Sequence, residues 1–182
     1  MLTVIGESPV NRVDDTGLVD AVIAKNILDE TSRAVQTRGW SWNRDTGVTL
    51  VPTYPLPGDI LVPENTLSVD ASDPSLRIVQ RGTRLWDRDR QTFNFTSPIT
   101  VDITRLLAFE EMPQAARNYI MVSSARIFQD RVVGSERLSG FNKKDEDRAY
   151  AALRAEEAKV SGYNFNATSF GKAILGARPR GF

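Results

Sequence analysis

The 182-residue chain has neither cysteine nor histidine. This removes disulfides, thiolate nucleophiles, the usual zinc ligands and the commonest general base near neutral pH. No run approaches the ~20 apolar residues of a membrane-spanning helix, so no membrane partner is expected. The opening MLTVIGESPVNR has no basic leader and no long apolar region, so it is read as something other than a secretory signal and the protein as soluble. Glycine-rich phosphate loops of the Walker or dinucleotide type are missing, as are internal repeats and low-complexity tracts. Neither sign of charge is in excess, with 23 cationic and 23 acidic side chains. That balance argues against a generic nucleic-acid binder, which carries a basic surplus. Lysine is scarce, five residues against eighteen arginines, and arginine's planar, multidentate pairing leans toward interfaces. No metal, cofactor or enzymatic activity is expected.

What is present is organised around Thr16 to Asn43, TGLVDAVIAKNILDETSRAVQTRGWSWN. Asp15 or Thr16 supplies a short oxygen for the orphan amides of a first helical turn. Val19, Ile23 and Ile27 recur every four residues beside Leu18, Val22 and Leu28, predicting an amphipathic helix. Arg38 suits the last turn, and Gly39 a left-handed terminus. Trp40 and Trp42 are two apart and share a side if the chain is extended. By physical chemistry alone, Gly39, Trp40 and Trp42 form a structural join between a core helix and an aromatic anchor.

Before it, Met1 to Ile5 is apolar, Gly6 to Val10 reads as a turn and Asn11 to Gly17 as a polar linker. After Trp42 the period falls to two. Val48 and Leu50, Ile60 to Val62, Leu67 and Val69, Leu76 and Ile78, Leu85 and Trp86, Phe93 and Phe95, and Ile99, Val101 and Ile103 predict five to seven short antiparallel strands. Pro52, Pro55, Pro57 and Gly58 make a loop, Asp73-Pro74 a turn, Arg81-Gly82 a hairpin tip and Asp87 to Gln91 a charged loop.

Helix returns near Thr104, with one short turn at Arg105 to Phe109. A longer helix starts at Pro113 and ends near Val133, burying Met112, Ala116, Tyr119, Ile120, Ile127 and Phe128. Ala115, Ser123 and Ser124 on it are small enough for close helix contact. Ser135 to Asn142 is read as a connector. A third helix follows to about Gly162, with only Ala149, Ala152, Leu153 and Val160 to bury. Such a helix is expected to lie edge-on or against a neighbouring chain. Tyr163 to Phe182 has no acid but carries Lys172, Arg178 and Arg180 among Tyr163, Phe165, Phe170, Ile174, Leu175 and Phe182. Such a tail forms no core of its own and is expected to order against another subunit. The fold class is α+β. It is a discontinuous helical bundle (1–39 and 104–162) with an inserted antiparallel β region (40–103) and an extended C-terminal arm (163–182).

Two groups of residues imitate functional sites. Glu110 and Glu111, or Asp145, Glu146 and Asp147, offer the carboxylates a glycan hydrolase requires across a cleft. Adjacent acids on a helix diverge, however, and at helix starts they complement the dipole. Trp86 with Arg84, Arg88 and Arg90 imitates a nucleic-acid platform. The interleaved Asp87 and Asp89 point instead to local ion pairing.

The segments IGESPV (Ile5 to Val10), AKNILDETSRAVQTRGWSWN (Ala24 to Asn43), GVTLVP (Gly47 to Pro52), VDITRL (Val101 to Leu106) and EMPQAARNYIMVSSARIFQDRVVGS (Glu111 to Ser135) occur in this order. In them the chain resembles the tail tubular protein A family, head-to-tail adaptors of short-tailed bacteriophages. The resemblance covers most of Ile5 to Ser135 and is loose between Tyr54 and Phe95. It implies a structural virion protein at the head–tail junction, made in the host cytoplasm. It further implies a ring of twelve copies between the portal and a nozzle of tail tubular protein B, with tail fibres nearby and genomic DNA in transit through the centre. The arm residues Tyr163, Phe165, Phe170, Ile174, Leu175, Arg178, Arg180 and Phe182 would then meet the portal or an adjacent subunit. Arg84, Trp86, Arg88 and Arg90 would face nozzle or fibre. The alternatives are a nucleic-acid-binding module and a glycan hydrolase using Glu110 or Glu111.

Overall fold

The computed structural model describes residues 19–53, 58–132 and 136–167, with side chains described for 20–131 and 143–160 within those ranges. The helix start at Asp15 or Thr16, the turn and linker before it, and the arm beyond Ala167 lie outside the described residues. The architecture is α+β, with three helices and five antiparallel strands described. The chain divides into two compact units, one of residues 1–31 and 113–182, the other Ser32–Met112.

In the first unit, residues 19–31 of α1 (Val19–Gln36) pack on α2 (Gln114–Val132), which pairs with α3 (Glu136–Ala167). α1 buries Ala21, Ala24, Ile27 and Thr31, a stripe at helical spacing. The expected stripe is corrected at Val22, which is 48% exposed. Small alanines, one threonine and Ile27 set the buried face. Ala24 and Ile27 pack on the fully buried Phe128, with Ile23 and Ile127 beside them. On α2, Ala116 and Ile120 are buried as the periodicity predicts. Pro113 stands one position before the helix, and its carbonyl accepts the Arg117 amide at 3.0 Å.

α3 departs from expectation at both ends. The connector expected at Ser135 to Asn142 is helical from Glu136, and the helix passes Gly162 to Ala167, so the arm's first five residues are helical. A lone glycine costs a helix only about 1 kcal/mol, and no proline stops this one. The acids Asp145, Glu146 and Asp147 therefore sit mid-helix, and dipole complementation does not explain them. Glu146 accepts from Ser123 (2.6 Å) and Arg126 (2.6 Å) on α2, clamping the two helices. With Tyr119 against Tyr150 (ring centroids 5.2 Å apart), these contacts run in opposite chain order, so α2 and α3 are antiparallel. Ala149 and Leu153 are buried, while Ala152 and Val160, expected inside, are exposed.

In the second unit, β1 (Arg44–Leu50), β5 (Ile99–Arg105) and β2 (Thr66–Ala71) form one sheet in the order β1-β5-β2. β3 (Ile78–Arg81) and β4 (Arg84–Asp87) form a separate hairpin. β5 is central, and its Ile99, Val101 and Ile103 alternate into the core as predicted. Leu50, Ile60, Val62, Val69, Leu85 and Phe95 complete that core, with Leu76 and Ile78 against it. Strand persists through Thr104 and Arg105, where helix was expected, and the short 3-10 turn falls at Phe109–Glu111. Ile60 to Val62 pairs only through isolated bridges. The tip expected at Arg81-Gly82 is a two-residue turn in which Gly82 takes φ +64°, the primed-turn chemistry that suits strand twist.

On the polar face of β5, Asp102 gathers the Gly47 amide (3.0 Å), the Ser72 hydroxyl (3.1 Å) and Arg44 (3.2 Å). The Gly47 hydrogen bond, helped by Ser72 and Arg44 and opposed by desolvation, holds this carboxyl below its ordinary value. The ionised form is thus favoured in the folded state. Its contribution is complete above the unfolded value of about 3.9 and fades as pH falls toward the lowered folded value. Asp102→Asn is expected to flatten the loss of stability below about pH 4, read as urea midpoints across an acid series. Gly39 has φ +70°, and a Cβ there would lie 3.2 Å from Thr104 Oγ1, whereas one at Gly82 meets nothing. Gly39→Ala is expected to cost about 1–2 kcal/mol and more than Gly82→Ala, measured by urea unfolding.

Candidate assembly surfaces

Gly39, Trp40 and Trp42 lie where α1 meets the sheet, but not on an extended chain. Residues 41–43 form a turn, with the Asn43 amide donating to the Trp40 carbonyl (3.1 Å), so the two indoles do not share a side by strand alternation. Trp40 is buried, and its Nε1 donates to the Val35 carbonyl at 2.8 Å. Trp42 is half-buried, and its Nε1 is buried without a hydrogen-bond partner.

Two buried amides hold this join. Asn43 Oδ1 accepts the Trp40 amide (2.8 Å), while Nδ2 donates to the carbonyls of Gln36 (2.9 Å) and Arg105 (2.8 Å). Gln36 Oε1 accepts the Leu107 amide (2.7 Å), and Nε2 donates to the Leu107 carbonyl (3.1 Å) and Ser32 Oγ (3.1 Å). The Gln36 carbonyl, orphaned at a helix end, is thereby satisfied by Asn43 and by the Gly39 amide. Periodicity places polar residues outward and so passes over both amides. The one available signal was the asparagine directly after Gly39-Trp40-Ser41-Trp42.

Arg84, Trp86, Arg88 and Arg90 lie on the β3–β4 hairpin and the loop after it. Arg84 and Trp86 are half-buried, Arg88 and Arg90 exposed. Arg84 pairs with the buried Asp59 at 2.8 Å, Arg77 with Asp89 at 3.4 Å, and Arg90 with Asp87 at 3.8 Å. Asp87 is itself buried and accepts the amides of Asp89 and Arg90. Trp86 and Phe93 meet edge-on at 4.7 Å. Phe93 and Phe95, expected as a pair, separate: Phe95 enters the core and Phe93 stays with Trp86.

A shallow cavity lies between this loop and the start of β5, lined by Asp73, Ser75, Asp87, Asp89, Arg90 and Thr100 among others. Its carboxylates are already engaged. Ser75 donates its amide and hydroxyl to Asp73 (2.9 and 2.8 Å), which holds that acid below its ordinary value. Among the described residues no group of three or more acids could hold a metal ion. Glu110 and Glu111 are exposed neighbours on the 3-10 turn, and Glu111 accepts the Ala108 amide at 3.0 Å. Neither carboxylate lines that cavity.

The helical unit offers a different surface. α3 is about 48 Å long against about 28 Å for α2, at the usual rise per residue. With Tyr150 opposite Tyr119 and Glu146 opposite Ser123, the last turns of α3 overhang the start of α2. Most side chains from Arg154 to Val160 are exposed, Val160 at 44%. Met121 on α2 is half exposed. No described helix is long and apolar enough to cross a membrane. Of the arm residues, Tyr163 and Phe165 lie on the backbone of α3. Phe170, Ile174, Leu175, Arg178, Arg180 and Phe182 lie outside the described residues.

A small helical unit, a β unit with a decorated hairpin and an overhanging helix make an arrangement that presents surfaces. The family model described as tail tubular protein matches residues 1–163. The tail tubular protein A of Klebsiella phage KP34 is 27% identical over 179 residues, which span 97% of this chain and 93% of that protein. The chain belongs to the tail tubular protein family, as a structural component of the bacteriophage tail.

Proposed function

We propose that this tail component closes into an adaptor ring, of twelve copies, at the head–tail junction. The ring joins the portal to a nozzle of tail tubular protein B, and genomic DNA passes through its centre. The observation that carries the proposal is the family match along residues 1–163. The physical chemistry of the chain agrees with it. A sequence with 23 charges of each sign would let DNA slide, since a strongly basic lumen holds phosphates by releasing their counterions. In this arrangement the β3–β4 hairpin faces nozzle or fibre, and the segment after α3 reaches the portal or the next subunit.

Mass photometry of the purified chain mixed with portal is expected to show closed rings seated on portal. A chain that stays monomeric with portal present contradicts the proposal. Because α3 continues to Ala167, truncation is best placed after it. Removing residues 168–182 is expected to weaken portal docking while leaving helical circular dichroism nearly unchanged. Loss of the helical signal would place that segment in the core instead.

A further inference from the structure

The hairpin register puts Val79 opposite Trp86 and Arg81 opposite Arg84, and an isolated bridge sets Leu61 against Arg84. These five residues therefore share one face. The other face carries Leu85 and Ile78 into the core. On the outward face the Arg81 guanidinium lies 4.2 Å from the Trp86 ring centre, and the Arg84 guanidinium 4.0 Å from that of Phe93. With the Trp86–Phe93 contact this makes a continuous stack, Arg81–Trp86–Phe93–Arg84. Leu61, 49% exposed, and Val79, 37% exposed, lie on the same face.

The charges around this face do not balance. Arg84, Arg77 and Arg90 each have a carboxylate partner. Among the described residues Arg81, on the hairpin, and Arg88, in the loop after it, have none, so each is a cation without a carboxylate partner in a chain with no net charge. We propose that this face docks an extended segment of a neighbouring tail protein whose facing positions, every second residue, carry carboxylate and aliphatic side chains in turn. The inference rests on the reading that the hairpin meets another tail component, and it names the chemistry of that contact. A guanidinium held against an aromatic ring keeps its N–H edge for a bidentate carboxylate and loses little freedom on binding. Leu61 and Val79 supply the apolar contact that the aliphatic side chains on the strand's facing side would cover. Nucleic acid fits less well. Trp86 and Phe93 each already carry a guanidinium, which competes with base stacking.

The test is calorimetric titration of the full chain with a short peptide in which glutamate and valine take turns at every second position with threonine between them, and separately with an oligothymidine. The peptide is expected to bind, and the Arg81→Ala/Arg88→Ala variant to bind it about tenfold or more weakly. Arg81→Lys should also weaken binding despite keeping the charge, because the planar fork is lost. Arg131→Ala, on the exposed side of α2, should change nothing. Absence of peptide binding, equal binding by the double variant, or oligothymidine binding abolished by that variant in place of peptide binding would each overturn the inference. Ring formation on portal is read separately, so a failed titration beside intact rings sinks this inference and leaves the ring standing.

Discussion

A pair of buried side-chain amides, Gln36 and Asn43, fastens the end of α1 to the exit of β5. A helix that stops inside a protein leaves carbonyls without partners, and a strand that ends there leaves both donors and acceptors. Gln36 meets the Leu107 backbone in a two-bond exchange like that of an added strand residue. Asn43 spends its oxygen and both amide hydrogens on Trp40, Gln36 and Arg105. The Asn43 side chain thereby reaches a backbone group 62 residues away and the Gln36 side chain one 71 residues away. Everything inserted between them, the sheet and the hairpin, hangs from this point. Trp40 then covers the join, its indole N–H satisfied by Val35.

The same economy of polar groups runs through the rest of the molecule. Asp102 ties β1 to the β2 side of the sheet through Gly47, Arg44 and Ser72, and stands opposite Asp70 in the ladder. Like charges in that position repel, and the donors around Asp102 offset the repulsion. In the helical unit one glutamate, Glu146, does a similar service for Ser123 and Arg126, and its hydrogen bond raises the Arg126 guanidinium above its already high ordinary value. Of the acids that resemble catalytic pairs in sequence, Glu111 and Glu146 are thus occupied in holding the fold. The tail tubular family gives such a scaffold its setting, as a structural component of the bacteriophage tail.

The sequence made some of this plain and hid the rest for physical reasons. Ile99, Val101 and Ile103 announced β5, because a central strand with one buried face alternates strictly. The hairpin tip at Gly82 was legible because few residues accept a positive φ. α3 was mistaken at both ends because Gly140 and Gly162 looked like stops, although one glycine is a weak breaker where no proline follows. α1's buried stripe of Ala21, Ala24 and Thr31 lost out to larger residues such as Val22, since apolar size is easier to see than close packing. Gln36 and Asn43 were invisible to any pattern that assigns polar residues to the surface. Arg84 and Trp86 were singled out from composition, but Arg81, Phe93 and Leu61 join them only through register and bridging that no local pattern displays.

The join at Asn43 can be tested by a single isosteric change. Asn43→Asp keeps the shape but turns the donating nitrogen, which faces the Gln36 and Arg105 carbonyls, into an acceptor carrying charge. Urea unfolding at neutral pH is expected to show a loss of about 3 kcal/mol, the scale set by a buried, unpaired charge. A variant within about 0.5 kcal/mol of the parent, the usual span of a surface change, would show that the fold does not depend on this amide.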